Sequence, residues 1–291
     1  MQIVDREIKY SSKTDIIKNT FVGDPHFGGN DVDKKLFREC MRIIHNEQNH
    51  YWTFGGDACE YINPSDKRYE AALIDPEIRM CDQDDLATVQ MEMADNEMSV
   101  ARDDCLGMCE GNHEETIRRR YHQDIHKELC KRMNSGRWDS GGSFNLSYSA
   151  IVRLRLIREC KGSDHTRTVR IYIHHGSGSA ATDGAALNRL AKMATNFPYE
   201  DVYVINHIHR RVAHTDVALM SADRLRELRH KPRAYLSAGT FKKTYTLGKS
   251  GYGEKRMYPP TALGCVTLCM IPDMHDQMVF MTKNRTDGLP G

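Results

Sequence analysis

The chain has 291 residues, of which 40% are hydrophobic and 28% charged, and its 41 Lys and Arg nearly balance its 40 Asp and Glu. A chain of this length can bury a core without disulfides or a structural metal, and a net charge of +1 provides no overall attraction to nucleic acid. No run of about 18 apolar residues predicts a transmembrane helix.

Short apolar runs that end in Gly, His or Asn recur along the chain and predict buried strands whose ends carry polar residues. The runs lie at 16–22, 51–54, 105–109, 169–173 and 202–205. Helical patterns lie between several of them, at 33–48, 84–102 and 115–133. The acidic, Met-rich segment 63–101 is either a helical insertion that caps a site or a segment packed on the body.

The pattern changes in the middle of the chain, where residues 144–158 alternate and a turn at 161–164 leads into 166–173, which predicts an antiparallel hairpin. Residues 212–241 predict further strands around a short charged helix at 221–229, and 242–260 predicts a long loop. Helices between the early strands and hairpins later imply an α/β fold with a mixed sheet.

Nine cysteines without a CxxC pair favour a reduced compartment over a disulfide framework. The first residues, MQIVDREIKYSSKTD, lack the hydrophobic stretch of a secretory signal. We therefore expect a cytoplasmic protein with no membrane partner. No repeat or linker divides the chain, so we expect a single domain over residues 1–291.

Polar motifs follow five of the predicted strands: GDPHFG at 23–28, GGD at 55–57, GNHE at 111–114, HHG at 174–176 and NHIH at 206–209. Each alone has a structural explanation as a turn or a helix cap. Together they would lie on one rim of a sheet, where open α/β sheets bind ligands. Carboxylates and neutral imidazoles suit divalent ions such as Mn, Fe or Zn. The candidate ligands are Asp24, His26, Asp57, Asn112, one of His174 or His175, His207 and His209.

This ordered series resembles the signature of the calcineurin-like metallophosphoesterases, which is D-x-H, G-D, G-N-H-[DE], H-[GA] and G-H-x-H. The resemblance spans residues 24–209 and implies a four-layered α/β/β/α sandwich with a dimetal site at the C-terminal strand ends. It also implies two divalent ions as cofactors, with Mn as the first expectation and Fe, Zn or Ni as alternatives. The chain departs from the signature at Asn206, which stands where the family has Gly.

The resemblance also implies a role for each position. Asp57 would bridge the two ions, His113 would be the catalytic histidine that binds no metal, and Glu114 would orient His113. Of the two adjacent histidines we choose His175, because the family's ligand directly precedes the small residue, and successive strand side chains point to opposite faces. The first ion would be bound by Asp24, His26 and His209, and the second by Asn112, His175 and His207.

The implied reaction is in-line hydrolysis of a phosphate ester by a metal-bridging hydroxide, with His113 assisting the leaving group. We expect a phosphodiesterase acting on nucleotides or nucleic acid. The alternatives are a phosphomonoesterase for proteins or small molecules and a non-catalytic scaffold. Candidate phosphate and base contacts are Arg118, Arg119, Arg120, Arg210, Arg211, and Tyr245, Tyr252 and Tyr258 among the basic residues of 242–256, although solvated faces and a packed loop explain them as well.

Overall fold

Two six-stranded mixed sheets form the centre of the molecule. The computed structural model describes residues 1–66, 69–160, 164–221, 228–248, 250–274 and 277–284. The sheets have the strand orders β1-β6-β7-β8-β10-β9 and β12-β11-β2-β3-β4-β5. The strands are β1 (Gln2–Tyr10), β2 (Ile17–Val22), β3 (His50–Phe54), β4 (Cys105–Cys109), β5 (Asn145–Ser147), β6 (Ser149–Arg158), β7 (His165–His174), β8 (Val202–Ile205), β9 (Arg211–Ser221), β10 (Leu228–Ala238), β11 (Val266–Met274) and β12 (Gln277–Asn284).

Helices cover the outer face of each sheet. They are α1 (Lys34–Asn46), α2 (Leu86–Met98), α3 (Asn112–Tyr121), α4 (Ile125–Met133), α5 (Asp183–Asn196) and the short α6 (Tyr252–Lys255). Helices α1 and α4 contact strands β3 and β4 of one sheet, and α5 contacts β8, β9 and β10 of the other. The predicted four-layered α/β/β/α sandwich is confirmed.

The main core lies between the two sheets. Side chains of both sheets join one buried cluster, which includes Phe21, Trp52 and Phe54 from one sheet and Leu154 and Ile171 from the other. Strands β3 and β4 are buried at every position, because a helix layer covers one face and the second sheet covers the other. This burial explains why these strands read as continuous apolar runs in the sequence.

The predicted strands are all present, and so is the predicted hairpin. Strands β6 and β7 pair antiparallel from Ser149 with His174 to Arg158 with His165. Residues 161–163 of the turn predicted at 161–164, and residues 222–227 of the helix predicted at 221–229, lie outside the described residues. Strands β1, β11 and β12 were not predicted. In β1 the alternation of buried residues includes Arg6, a charged residue that hides the pattern.

The helix predicted at 115–133 is wrong as a single helix, because the chain turns between α3 and α4. His122 adopts a left-handed conformation with φ of 54°, and the side chain of Asp124 then accepts a hydrogen bond from the Lys127 N–H and starts α4. Helix α3 begins at Asn112 with Gly111 at its N-cap, three residues earlier than predicted.

The segments 63–101 and 242–260, which the sequence left with more than one interpretation, lie at the same edge of the molecule. In 63–101, three 3₁₀ turns (Ala71–Leu73, Met80–Asp85 and Ser99–Asp104) flank α2, whose Met91, Ala94 and Met98 are buried in the core. In 242–260, the structure has α6 as its regular element among the described residues. Within the described part of the chain, no helix is long and apolar enough to cross a membrane.

Candidate metal centre

The five motifs meet at one edge of the sandwich, directly after the C-terminal ends of β2, β3, β4, β7 and β8. The loops after β2 and β3 run side by side: the Asp24 N–H donates to Gly56 O at 3.0 Å, and the Phe27 N–H donates to Ala58 O at 2.9 Å. Parallel strands bring their carboxyl ends to one edge. The tertiary structure therefore brings together side chains that are up to 185 positions apart, from Asp24 to His209.

The first cluster consists of Asp24, His26 and His209. Nε2 of His26 lies 3.0 Å from Nε2 of His209, and Oδ1 of Asp24 lies 3.6 Å from His209 Nε2 and 4.0 Å from His26 Nε2. Two nitrogens that each lie about 2.1 Å from one ion at a right angle are about 3.0 Å apart. These three atoms thus have a spacing that fits coordination of a single divalent cation.

The second cluster consists of Asp57, His175 and His207, with Asn112 beside them. Nε2 of His175 lies 3.4 Å from Oδ2 of Asp57 and 3.2 Å from Oδ1 of Asn112. Nδ1 of His207 lies 4.0 Å from the same Asp57 oxygen. The seven predicted ligands therefore all lie in these two neighbouring clusters.

Asp57 lies between the two clusters. Its Oδ2 is 4.0 Å from His26 Nε2 of the first cluster and 3.4 Å from His175 Nε2 of the second. A carboxylate in this position is suited to bridging two ions. Although burial opposes the charged form, the imidazole of His175 lowers the pKa of Asp57 well below its ordinary value.

Each aspartate keeps one oxygen for the cluster because a backbone amide occupies the other. The His207 N–H donates to Asp24 Oδ2 at 2.9 Å, and the His113 N–H donates to Asp57 Oδ1 at 2.9 Å. Within the described residues, Asp24 Oδ1 and His207 Nδ1 are buried and have no hydrogen-bond partner. Buried polar atoms normally have partners, and here bound cations would supply them.

Five of the candidate ligands adopt the left-handed backbone conformation, which is uncommon for residues other than Gly. The φ angles are 51° at Asp24, 55° at His26, 54° at Asp57, 66° at His207 and 52° at His209. Such conformations cost of order 1–3 kcal/mol each and cluster at functional sites. The strain is another reason to regard this edge as the functional site.

His174 and His175 take different places. His175 is fully buried, with Nδ1 2.8 Å from Gly55 O. His174 belongs to neither cluster; it accepts a hydrogen bond from the Gly176 N–H at 2.7 Å and contacts the rings of Tyr148 and Tyr172. The structure thus places His175 in the second cluster and His174 outside it.

Asn206, the departure from the motif, packs against two glycines. A Cβ atom built on Gly55 would lie 2.0 Å from Asn206 Oδ1, and one built on Gly23 would lie 2.4 Å from it. The Asn206 N–H donates to the carbonyls of His174 and His175. The side chain therefore fills the space behind the metal clusters, where only glycine in the two facing loops leaves enough room.

The structure corrects the role expected for Glu114. Its carboxylate accepts hydrogen bonds from the backbone N–H groups of Asp57 at 3.1 Å, Ala58 at 2.6 Å and Gly111 at 3.0 Å. Nδ1 of His113 instead lies 2.5 Å from the carbonyl oxygen of Glu60. Glu114 thus holds the loop that carries Asp57, and a backbone carbonyl orients His113. Burial and the Asp57 charge raise the pKa of Glu114 to about 8.

A cleft of about 460 Å³ opens over the clusters. Its lining includes His26, His113, His207 and His209, and its walls come from the segments at 60–74 and 242–261. Lys242, Lys243 and Arg210 are the cations at its edge, and Tyr69, Tyr252 and Tyr258 are the aromatic residues of its walls. The volume is within the range of small-molecule sites.

Most of the basic residues considered for nucleic-acid contacts have partners within the chain. Arg118 pairs with Glu110, Arg119 with Glu115, Arg120 with Asp66, Lys243 with Asp33 and Lys255 with Glu70. Arg210 and Arg211 donate to backbone carbonyls. Lys249 lies outside the described residues. The tyrosines are more available, since Tyr245, Tyr252 and Tyr258 are each exposed.

Comparisons with known proteins add distant likenesses. No protein-family model and no curated protein matches the sequence. Vps29 from Chaetomium thermophilum is 10% identical, with 92% of this chain and 96% of that chain covered and a TM-score of 0.34. NAD nucleotidase (NadN) from Haemophilus influenzae is 9% identical over 92% of this chain and 49% of that one, with a TM-score of 0.36. The calcineurin-like phosphoesterase YfkN from Bacillus subtilis is 10% identical over 95% and 92%, also with a TM-score of 0.36.

Proposed function

We propose that this protein is a dimetal-dependent phosphoesterase, and that its preferred substrates are phosphodiesters with an organic group that fits the cleft. The observation that carries the proposal is the position of Asp57 between the two clusters: its Oδ2 lies 4.0 Å from Nε2 of His26 in the first cluster, and 3.4 Å from Nε2 of His175 and 4.0 Å from Nδ1 of His207 in the second. Two divalent ions held there would lower the pKa of a bound water and offset the negative charge on the oxygens of a phosphate group.

The chain's own residues have separate roles in this proposal. Asp24, His26 and His209 hold the first ion, Asn112, His175 and His207 hold the second, and Asp57 contributes to both. His113 lines the cleft and contacts the ring of His26, with 4.8 Å between the ring centroids. The carbonyl of Glu60 accepts from Nδ1 of His113, so the proposed proton transfer to the substrate involves Nε2. A protonated Nε2 would donate its proton to the departing ester oxygen.

The preference for a diester rests on the cleft. A phosphate group alone needs far less than 460 Å³, so the remaining volume is available to the organic groups of the ester. Tyr69, Tyr252 and Tyr258 provide flat apolar surfaces there. A small phosphodiester that contains one nucleoside or a similar organic group suits these walls better than a long polynucleotide, because the nearby cations are largely paired with carboxylates of the chain.

Hydrolysis of bis-p-nitrophenyl phosphate and of p-nitrophenyl phosphate with added Mn tests the proposal. We expect both esters to be cleaved, with the higher kcat/KM for the diester. A higher kcat/KM for the monoester would make the protein a phosphomonoesterase. Failure to cleave either ester, with fewer than one ion bound per chain, would identify it as a scaffold and overturn the proposal.

A further inference from the structure

Glu60 is a buried acid beside the metal clusters that no sequence motif singled out. It lies three residues after Asp57, and its N–H donates to Phe27 O at 2.9 Å, which fixes it beside the loop that carries His26. Only 7% of its surface is exposed. A buried carboxylate is costly unless it has partners, and those of Glu60 are two histidines of the site and one lysine.

The first of these histidines is His26. Its Nδ1 is buried and, within the described residues, has no hydrogen-bond partner. Oε1 of Glu60 faces this nitrogen at 3.8 Å, which is longer than a hydrogen bond. If Nε2 of His26 binds an ion, the neutral ring carries its proton on Nδ1. The carboxylate of Glu60 is the group placed to accept a hydrogen bond from this N–H.

The second is His113, whose Nδ1 lies 2.5 Å from the backbone carbonyl oxygen of Glu60. A carbonyl only accepts, so the proton of a neutral His113 is held on Nδ1. Oε2 of Glu60 also lies 4.0 Å from the same nitrogen. Glu60 therefore faces Nδ1 of both imidazoles: its carboxylate lies near both, and its backbone carbonyl accepts from His113. Both rings consequently present Nε2 towards the cleft.

Lys242 completes the arrangement. Its ammonium group forms an ion pair with Oε1 of Glu60 and lies 3.8 Å from Oδ2 of Asp31. Glu60, His26 and His113 also have the spacing of a cation site, but the Lys242 ammonium already supplies a positive charge at the Glu60 carboxylate. This favours a role in orienting the histidines over a role as ligand of a third ion.

We propose that Glu60 is a positioning residue that fixes the proton of His26 on Nδ1 and thereby prepares Nε2 to bind the first ion. The inference rests on the proposed function, since it assumes that His26 binds an ion. Carboxylates that accept from a metal-binding histidine orient the ring and raise its basicity, and their loss typically weakens metal binding by about 10–100-fold. Glu60 should therefore affect the first ion more than the second.

The test uses two variants of Glu60: Glu60→Gln, which keeps the shape of the side chain, and Glu60→Ala, which removes it. The control is Glu70→Gln, which removes an exposed carboxylate paired with Lys255. Stepwise Mn(II) binding is followed by electron paramagnetic resonance, and the His26 tautomer of the metal-free protein by ¹⁵N NMR. For both Glu60 variants we expect first-ion affinity to fall about 10–100-fold, second-ion affinity to stay within about two-fold, and the Nδ1–H tautomer of His26 to lose population. Glu70→Gln should match the wild type.

Three results would overturn the inference. The first is that the Glu60 variants bind both ions with wild-type affinity and keep the His26 tautomer unchanged. The second is an equal loss of affinity for both ions, which would indicate a general loosening of the loop. The third is a third ion that the wild type binds and both Glu60 variants lose. A wild type that binds no Mn at all would instead refute the proposed function, so the two failures are distinguishable.

Discussion

The backbone N–H of His113 donates a hydrogen bond to Oδ1 of Asp57 at 2.9 Å, so these two residues of the site are linked directly through the main chain of His113. This bond leaves Oδ2 of Asp57 facing nitrogens of both clusters. It also ties the start of helix α3 to the loop after β3. The carboxylate proposed to bridge the ions and the histidine proposed to assist the leaving group are therefore held in one geometry, although they come from different strand ends.

The Asp57→Asn variant should bind both ions more weakly, because a neutral amide replaces the shared anionic ligand. We expect at least a ten-fold loss of affinity for each ion, in line with the effect of losing a group that supports a metal site. Metal content after gel filtration and Mn titration measure this. Asp5→Asn, which removes an exposed carboxylate paired with Arg153, is the control. Loss of only one ion would contradict the bridging role.

Replacing His113 with Ala should leave metal binding intact and reduce turnover. General acid assistance is typically worth about 10²–10⁴-fold, and we expect kcat to fall by that factor at saturating Mn. The loss should be smaller for esters with an acidic leaving group, which depart without a proton. His45→Ala, at an exposed position, serves as the control. Full activity of His113→Ala would show that the assigned role is wrong.

Glu114→Ala should destabilise the protein independently of His113. Removing the carboxylate leaves the buried N–H groups of Asp57, Ala58 and Gly111 without their acceptor, and each such group costs about 1–3 kcal/mol. We expect the free energy of unfolding to fall by roughly 3 kcal/mol or more, as measured by urea denaturation. The loss should be the same in a His113→Ala background. A much smaller loss there would restore the idea that Glu114 acts through His113.

Arg6 is a buried cation that connects the two sheets. Its guanidinium donates to the carbonyls of Leu106 at 2.7 Å, Asp5 and Gly141 at 2.8 Å, and Ser143 at 2.9 Å, and burial lowers its pKa to about 10. Arg6→Met keeps a similar length but removes every donor. Since each buried acceptor left without a partner costs about 1–3 kcal/mol, we expect the unfolding free energy to fall by roughly 3 kcal/mol or more. Arg155→Met, at an exposed position of β6, should change stability little. Equal unfolding free energies for Arg6→Met and the wild type would refute the role of Arg6 in connecting the sheets.

The carboxylate of Asp273 should make stability depend on pH in acid. Burial acts against ionisation, but hydrogen bonds from Arg158 and Tyr10 lower the pKa of Asp273 below its ordinary 3.8. The ionised form is thus favoured by folding, and its contribution is present above pH 3.8 and lost as the pH falls through the lower, folded value. Urea unfolding between about pH 5 and 2 should show a decline for the wild type that is shallower in Asp273→Asn. Parallel curves would contradict this.

The strand and ligand positions followed from local sequence patterns, while the contacts within the site depended on the tertiary structure. Apolar runs such as 105–109 predicted their strands because burial on both faces leaves a continuous hydrophobic signal. The order of the polar motifs after them indicated a metal centre, because parallel strand ends share an edge of a sheet. By contrast, β1 was not predicted because Arg6 interrupts its alternation, and the carbonyl groups of Leu106, Gly141 and Ser143 that accept from Arg6 lie a hundred residues or more away along the chain.

The roles of Glu114 and Glu60 could not be predicted from their neighbours in the sequence, because they depend on the direction of the side chains. Glu114 follows His113 directly, yet residues one position apart on a helix do not face each other, so its carboxylate reaches the loop of Asp57 instead. Glu60 belongs to no motif, and it lies in the site because the loops after β2 and β3 pair through Phe27 and Cys59. Local periodicity decides which residues reach the end of a strand, but packing between distant segments decides which atoms meet there.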